Sequence, residues 1–238
     1  MSEHELIKRL TADQPFVPRF FPFDVGVNKK EEEPLTIAMA FVVLGRAITD
    51  VTDLDQLDKK VITIDARPSD QYKVAHLSNS VNLQNGGKFE TWLGSIVAPG
   101  ELFYLFAEDD ADLQDLIRRT AKIGYNCFIK EARVLSYGNM VSDDFQPEFF
   151  RKHLEDFTIA DVRNSAENQE YTVFKGALSI PLPELRERLR EIPLNKPIAV
   201  HYAGGHRSAA GSSIIADFIK KQKVYDMNDP IKEFNFNS

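Results

Sequence analysis

Ile198-Ala-Val-His-Tyr-Ala-Gly-Gly-His-Arg-Ser-Ala-Ala-Gly-Ser-Ser-Ile-Ile215 decides how the chain reads. The apolar run Ile198 to Val200 predicts a short buried strand. Gly204 and Gly205 predict a tight loop, and the small residues leading to Ile214 and Ile215 predict a helix. A strand, glycine loop and helix in that order aim backbone N–H groups into one hollow, with the positive end of the helix dipole behind them. Arg207 closes the loop with a planar fork of donors suited to an oxyanion. The expected anion cradle is Ala203, Gly204, Gly205, His206, Arg207 and Ser208, with Tyr202 at its mouth. An Arg at that place has a second reading, as the ion-pair partner of a neighbouring carboxylate.

Composition sets the limits around this stretch. With 238 residues, 43% of them hydrophobic and 27% charged, the chain suits one large soluble globular domain or two smaller ones. A net charge of −7 argues against nucleic acid and acidic membrane surfaces as partners. No apolar run approaches the ~18 residues of a membrane helix, and the longest, Ile37 to Leu44, reads as a buried element. The charged opening Met1 to Leu10 lacks the apolar core of a signal peptide. A single Cys excludes an intrachain disulfide, so a cytoplasmic setting is expected.

Residues 1–34 read as an arm. Leu6, Ile7 and Leu10 fit one face of a short helix, and Pro15 to Pro22 is too proline-broken for a helix or central strand. Lys29 to Pro34 reads as a solvated linker. Phe16, Phe20, Phe21 and Phe23 are costly in water, so the arm is expected to pack on this chain's own domains or on a partner domain.

Residues 35–142 then alternate short apolar strands with helices. Strands are expected over Lys60–Arg67, Ser80–Leu83, Leu102–Phe106 and Asn126–Ile129, with helices at Ser69–Tyr72, Phe89–Val97 and Asp112–Ile123. Residues 143–238 repeat the plan. Asp161-Val-Arg163 follows Asp65-Ala-Arg67 after ninety-six residues, and Lys175 to Leu182 matches the strand near Val81. A helix at Leu185–Leu189 and the Val200 stretch complete the repeat. An internal repeat of that size predicts two α/β domains with mainly parallel sheets, divided between Asn139 and Phe150.

Two copies of Asp-x-Arg followed by a strand, loop and helix resemble a tandem rhodanese. More particularly, Phe89-Glu-Thr-Trp92 with Pro99, Leu105 to Asp109 and Ile123 to Asn126 resemble the rhodanese pair behind the metallo-β-lactamase-fold domain of persulfide dioxygenase–rhodanese fusions. Leu10 to Pro15 and Phe21 to Lys29 resemble the end of that hydrolase-fold domain. The resemblance covers nearly the whole chain. It implies two rhodanese-like domains, a place in sulfide and persulfide metabolism, and a metallo-β-lactamase-fold domain or protein as partner.

The departures shape the functional expectation. The rhodanese loop reads Cys-x-x-Gly-x-Arg-Ser, and Tyr202 stands at the place of its Cys. In the first repeat Ala107-Glu-Asp-Asp110 fills the loop, with carboxylates that repel an anion. Thr172-Val-Phe174 replaces the family's turn His, and the His-x-His-x-Asp-His metal cluster of the fusions is absent. No metal and no cofactor are therefore expected. A phenol titrates near 10 and cannot hold a sulfane sulfur as a persulfide. The reading is a catalytically inactive protein that binds a partner or, weakly, a small sulfur-containing anion. The alternative is an active sulfurtransferase, or a hydrolase-fold-associated enzyme, using a non-standard residue.

Other candidates take structural readings. His201 and His206 lack a third metal ligand, and His76 holds turn backbone. Asp65 with Arg67 and Asp161 with Arg163 are expected to be bracing ion pairs. Cys127 is expected to be buried in a late strand.

Overall fold

Ile62-Thr-Ile-Asp65 is buried at every position, as a strand covered on both faces must be. The computed structural model describes residues 2, 5, 20–23, 35–202, 206–228 and 234. Among them are helix α1 (Leu35–Ala40) and the first repeat: β1 (Ile62–Asp65), α2 (Ser69–Val74), β2 (Ser80–Asn82), α3 (Phe89–Ile96), β3 (Phe103–Ala107), α4 (Asp110–Ala121) and β4 (Ile129–Val134). Then come α5 (Pro147–Lys152), β5 (Thr158–Asp161), α6 (Ser165–Glu170), β6 (Leu178–Ser179), α7 (Leu182–Arg188), β7 (Ile198–His201), α8 (His206–Phe218) and β8 (Val224–Asp226). The two four-stranded sheets have the orders β2-β1-β3-β4 and β6-β5-β7-β8, and every pairing is parallel. The expected α/β class and sheet type hold, and the identical strand order shows the repeat in three dimensions. Leu44 and Ile48 bridge to Ala132 and Leu135, extending the first sheet beyond β4.

The sheets do not stand apart. Helix α8 lies along β2, the edge of the first sheet, and one core runs from Ile64 and Leu105 to Val200 and Ile215. On its other side α8 lies close on its own sheet, and Gly211 sets that distance. A side chain at Gly211 would meet Val162 at 3.0 Å and Val200 at 3.2 Å. The backbone N–H of Asn82 donates to Ser213 Oγ at 3.0 Å, so a hydroxyl takes the edge donor that another strand would otherwise claim. Arg186 also reaches across, donating to Ile96 O at 2.8 Å and to Glu101 at 2.7 and 2.8 Å.

Two expectations fail. Asn126–Phe128 forms a 3-10 turn and the strand begins only at Ile129, so Cys127 is exposed, its thiol donating to Gly124 O. Gly124, at φ 69°, turns the chain sharply there and delays the strand. The apolar run Ile37 to Leu44 is not buried: Ile37, Phe41, Val43 and Leu44 are exposed, because the run leaves α1 for a single-bridge edge contact.

In the arm, Phe20 is buried over Gly94, and Phe23 sits edge-on to Tyr125 with ring centroids 5.8 Å apart. These two rings therefore pack on the first repeat. Phe20→Ala should cost about 3 kcal/mol of stability in urea unfolding, and the exposed Phe21→Ala nearly nothing. Equal losses would show that the arm packs otherwise. Leu6, Ile7, Leu10, Phe16 and the linker Lys29–Pro34 lie outside the described residues.

Candidate functional site

Strand β7 delivers the candidate site at its C-terminal end, where ligands of open parallel sheets usually bind. Tyr202 follows directly, half-buried, and Arg207 lies in the first turn of α8. Ala203, Gly204, Gly205 and the side chain of His206 lie outside the described residues. Ser208 is buried one residue past Arg207.

Both terminal nitrogens of Arg207 are engaged. Its Nη1 and Nη2 each donate to one oxygen of Glu167 at 2.7 Å, the bidentate geometry expected of a bound anion. Its guanidinium lies 3.5 Å from the Tyr202 ring centroid and 4.9 Å from that of Trp92, on α3 of the other repeat. Arg207 is thus held between two aromatic faces, with a protein carboxylate in its fork. The Asn164 N–H adds a third donor to Glu167, at 2.9 Å. The Arg207 guanidinium, helped by that amide, holds the Glu167 carboxyl below the usual range against the cost of burial. Of the two sequence readings for Arg207, the carboxylate pair is the one formed.

Behind the site, Asp161 accepts from Arg163 Nε at 3.0 Å and from Nη2 at 2.6 Å, with both side chains buried. Asp65 and Arg67 repeat this in the first sheet, where Arg67 also donates to Ala75 O at 2.8 Å. These pairs anchor the loops after β1 and β5. His76 accepts a similar bracing role, its Nδ1 2.9 Å from Tyr72 O.

His201 is wholly buried, edge-on to Phe174, and neither ring nitrogen has a hydrogen-bond partner among the described residues. Its Nε2 is 3.7 Å from Asp161 Oδ2. Burial lowers its pKa from 6.5 to about 4, against the attraction of Asp161 and with help from Arg163. The unfolded chain therefore takes up a proton between about pH 6.5 and 4 that the folded chain refuses, so stability falls as pH drops through that window. The slope from this one group is at most about 1.4 kcal/mol per pH unit. His201→Phe should flatten the urea-midpoint profile there; an unchanged slope would assign it to the carboxylates.

The first repeat's loop reverses the polarity. Glu108 follows β3 and accepts from Gln71 Nε2 at 2.6 Å. Gln71 lies six residues after Asp65, as Glu167 lies six after Asp161. The loop-to-helix contact is kept while carboxylate and donor change sides, which leaves that loop without a cation. Asp109 caps α4 by accepting from Asp112 N at 2.8 Å.

Sequence reasoning missed Glu167 and Trp92. The equal spacing from Asp-x-Arg was the available signal for Glu167. Trp92 stood out only within the family-like Phe89-Glu-Thr-Trp92 motif, and it reaches Arg207 only through the packing of the two repeats.

No protein-family model matches the chain, and no curated protein matches it. Solved structures do. The thiosulfate sulfurtransferase from Pseudomonas aeruginosa shares 14% identity over 80% of this chain at a TM-score of 0.31, and this chain spans 39% of its length. SseA from Escherichia coli, a 3-mercaptopyruvate sulfotransferase described by its rhodanese fold, shares 15% identity over 74% of this chain and 94% of its own, at a TM-score of 0.29. The anaerobic ergothioneine biosynthesis enzyme from Chlorobium limicola, bound to trimethyl histidine, shares 11% over 71% and 54%, at 0.33. Overlaps this loose carry no argument about what this chain does.

Proposed function

We propose that this chain is a tandem rhodanese-like protein of sulfide and persulfide metabolism that has given up sulfur transfer and acts by binding. One observation carries the reading: the residue after β7 is Tyr202, and its ring lies on Arg207, whose fork already holds Glu167. A sulfurtransferase needs a thiolate at that point and a free cation beside it. Here the first is replaced and the second is neutralised from within. Its ligand is a small sulfur-containing anion that must displace Glu167, or a protein partner such as a metallo-β-lactamase-fold domain, for which the exposed ring of Phe21 beside the packed Phe20 offers a contact. Among the described residues no helix is long and apolar enough to cross a membrane.

The purified chain should transfer no sulfur from thiosulfate to cyanide above a no-protein blank. Thiosulfate should also stabilise Glu167→Gln against heat more than it stabilises the natural chain, because the amide leaves Arg207 without its counter-ion. The expected gain in affinity is about tenfold, roughly 1.4 kcal/mol. Turnover by the natural chain would overturn the inactive reading. Equal thiosulfate responses in the natural chain, Glu167→Gln and Arg207→Ala would place the anion elsewhere.

A further inference from the structure

Helix α3 belongs to the first repeat, yet Trp92 on it meets an ion of the second. Trp92 is buried, and the Arg207 guanidinium lies 4.9 Å from its ring centroid. The helix that carries it is fixed at both ends. At its start Glu90 accepts from Arg119 Nε at 2.9 Å and from Nη2 at 2.6 Å, and the same guanidinium lies over the Phe89 ring. At its end Ile96 O accepts from Arg186 Nη1 at 2.8 Å, and Arg186 comes from α7 of the second repeat. Between these clamps Phe89, Leu93 and Ile96 are buried in the common core. Trp92 therefore stands on a platform that the packing of the two repeats holds in place.

Arg207 needs such a support. A guanidinium donates only in its own plane, so an anion gains two parallel bonds only where that plane is fixed. A long Arg side chain left unsupported loses rotamer freedom at each binding event, whereas one held in advance has already lost it. Tyr202 lies on the ion at 3.5 Å, but it comes from the same loop as Arg207. Its ring orients the guanidinium within that loop and does not tie it to the first repeat. Trp92 does, because it stands on the other side of the junction. With the rings on its faces, the ion keeps its in-plane edge for Glu167, the carboxylate an entering anion must replace. The first repeat has no cation in its own loop, where Ala107-Glu-Asp-Asp110 stands. Its contribution to anion binding is the indole.

We infer that Trp92 is the positioning residue of the anion site: its indole holds the Arg207 guanidinium in the plane where the fork meets an anion, so the second repeat takes its anion only while docked on the first. The inference rests on the proposed exchange of Glu167 for a small anion at that fork.

The test is calorimetric titration of the full chain with thiosulfate in the Glu167→Gln background. Trp92→Leu keeps apolar bulk but removes the ring, and should weaken thiosulfate about tenfold. Trp92→Phe restores a flat face and should come within about threefold of the parent, although both variants lose packing. A role in packing alone would lower the Tm of both variants and leave their affinities equal. The indole gives a second measurement. Trp92 is the only tryptophan, so its emission should shift as thiosulfate saturates the Glu167→Gln protein, and stay constant once Arg207→Ala is added. Equal affinities in Trp92→Leu and Trp92→Phe would overturn the inference and leave the anion reading standing. If Trp92→Leu does not fold, the emission decides, and saturable heat without an emission change overturns the inference. No saturable heat in Glu167→Gln with Trp92 intact would overturn the anion reading itself, and the inference with it.

Discussion

Tyr202→Cys protein, incubated with thiosulfate, should gain one sulfur atom at residue 202. A thiol there would stand at the end of β7, ahead of the thirteen-residue helix α8 and beside Arg207. A helix N-terminus and a guanidinium both favour thiolate over thiol, and cysteines so placed have pKa values of roughly 3.5–7.5. The thiolate would attack the sulfane sulfur of thiosulfate and release sulfite, leaving a persulfide on the protein. Cyanide would then carry that sulfur off as thiocyanate and return the thiolate. The single variant should be slow, because Glu167 still fills the Arg207 fork that the entering anion needs. Adding Glu167→Gln should accelerate persulfide formation by at least about tenfold, the worth of roughly 1.4 kcal/mol in the transition state. Mass spectrometry of residue 202, with Cys127→Ser in the background, reads the result. A folded Tyr202→Cys protein that takes up no sulfur, with or without the second change, would show that the loop has lost the rhodanese geometry altogether.

Asp161→Ala should be the most damaging single change to stability. Asp161 accepts from the Arg163 backbone N–H and from its Nε and Nη2, and both side chains are buried. Removing it leaves a guanidinium charge in the core with only weak contacts to Glu167 O at 3.5 Å and Asn168 at 3.3 Å. A broken buried pair of this kind costs about 3–5 kcal/mol, a large share of the 5–15 kcal/mol that holds an ordinary domain together. The effect should spread to the site, because Arg163 lies on the same short segment as Glu167, the carboxylate in the Arg207 fork. Urea unfolding followed by tryptophan fluorescence would report it, Trp92 being the only tryptophan. A loss under about 1 kcal/mol would mean that the loop after β5 holds its shape without this pair.

What the sequence settled was local and periodic. Short runs rich in β-branched residues, such as Ile62–Asp65 and Ile198–His201, read as strands buried on both faces, and their alternation with helices indicates the α/β class. The doubled Asp-x-Arg fixed the repeat and, with it, the shared strand order. Tyr202 directly after the strand was likewise plain from the order of residues, and its standing at a nucleophile's place is what the rhodanese resemblance implies. The strand expected at Cys127 fails because so short a segment is equally compatible with a 3-10 turn, and Gly124 bends the chain just before it. Tertiary structure decided the rest. Only packing brings Glu167 forty residues back to Arg207, sets Trp92 of one repeat over a guanidinium of the other, and lays α8 along the exposed edge of β2. Arg207 illustrates the division: its charge and place were legible, but whether it meets a ligand or a carboxylate depends on which groups long-range burial leaves within about 3 Å of it.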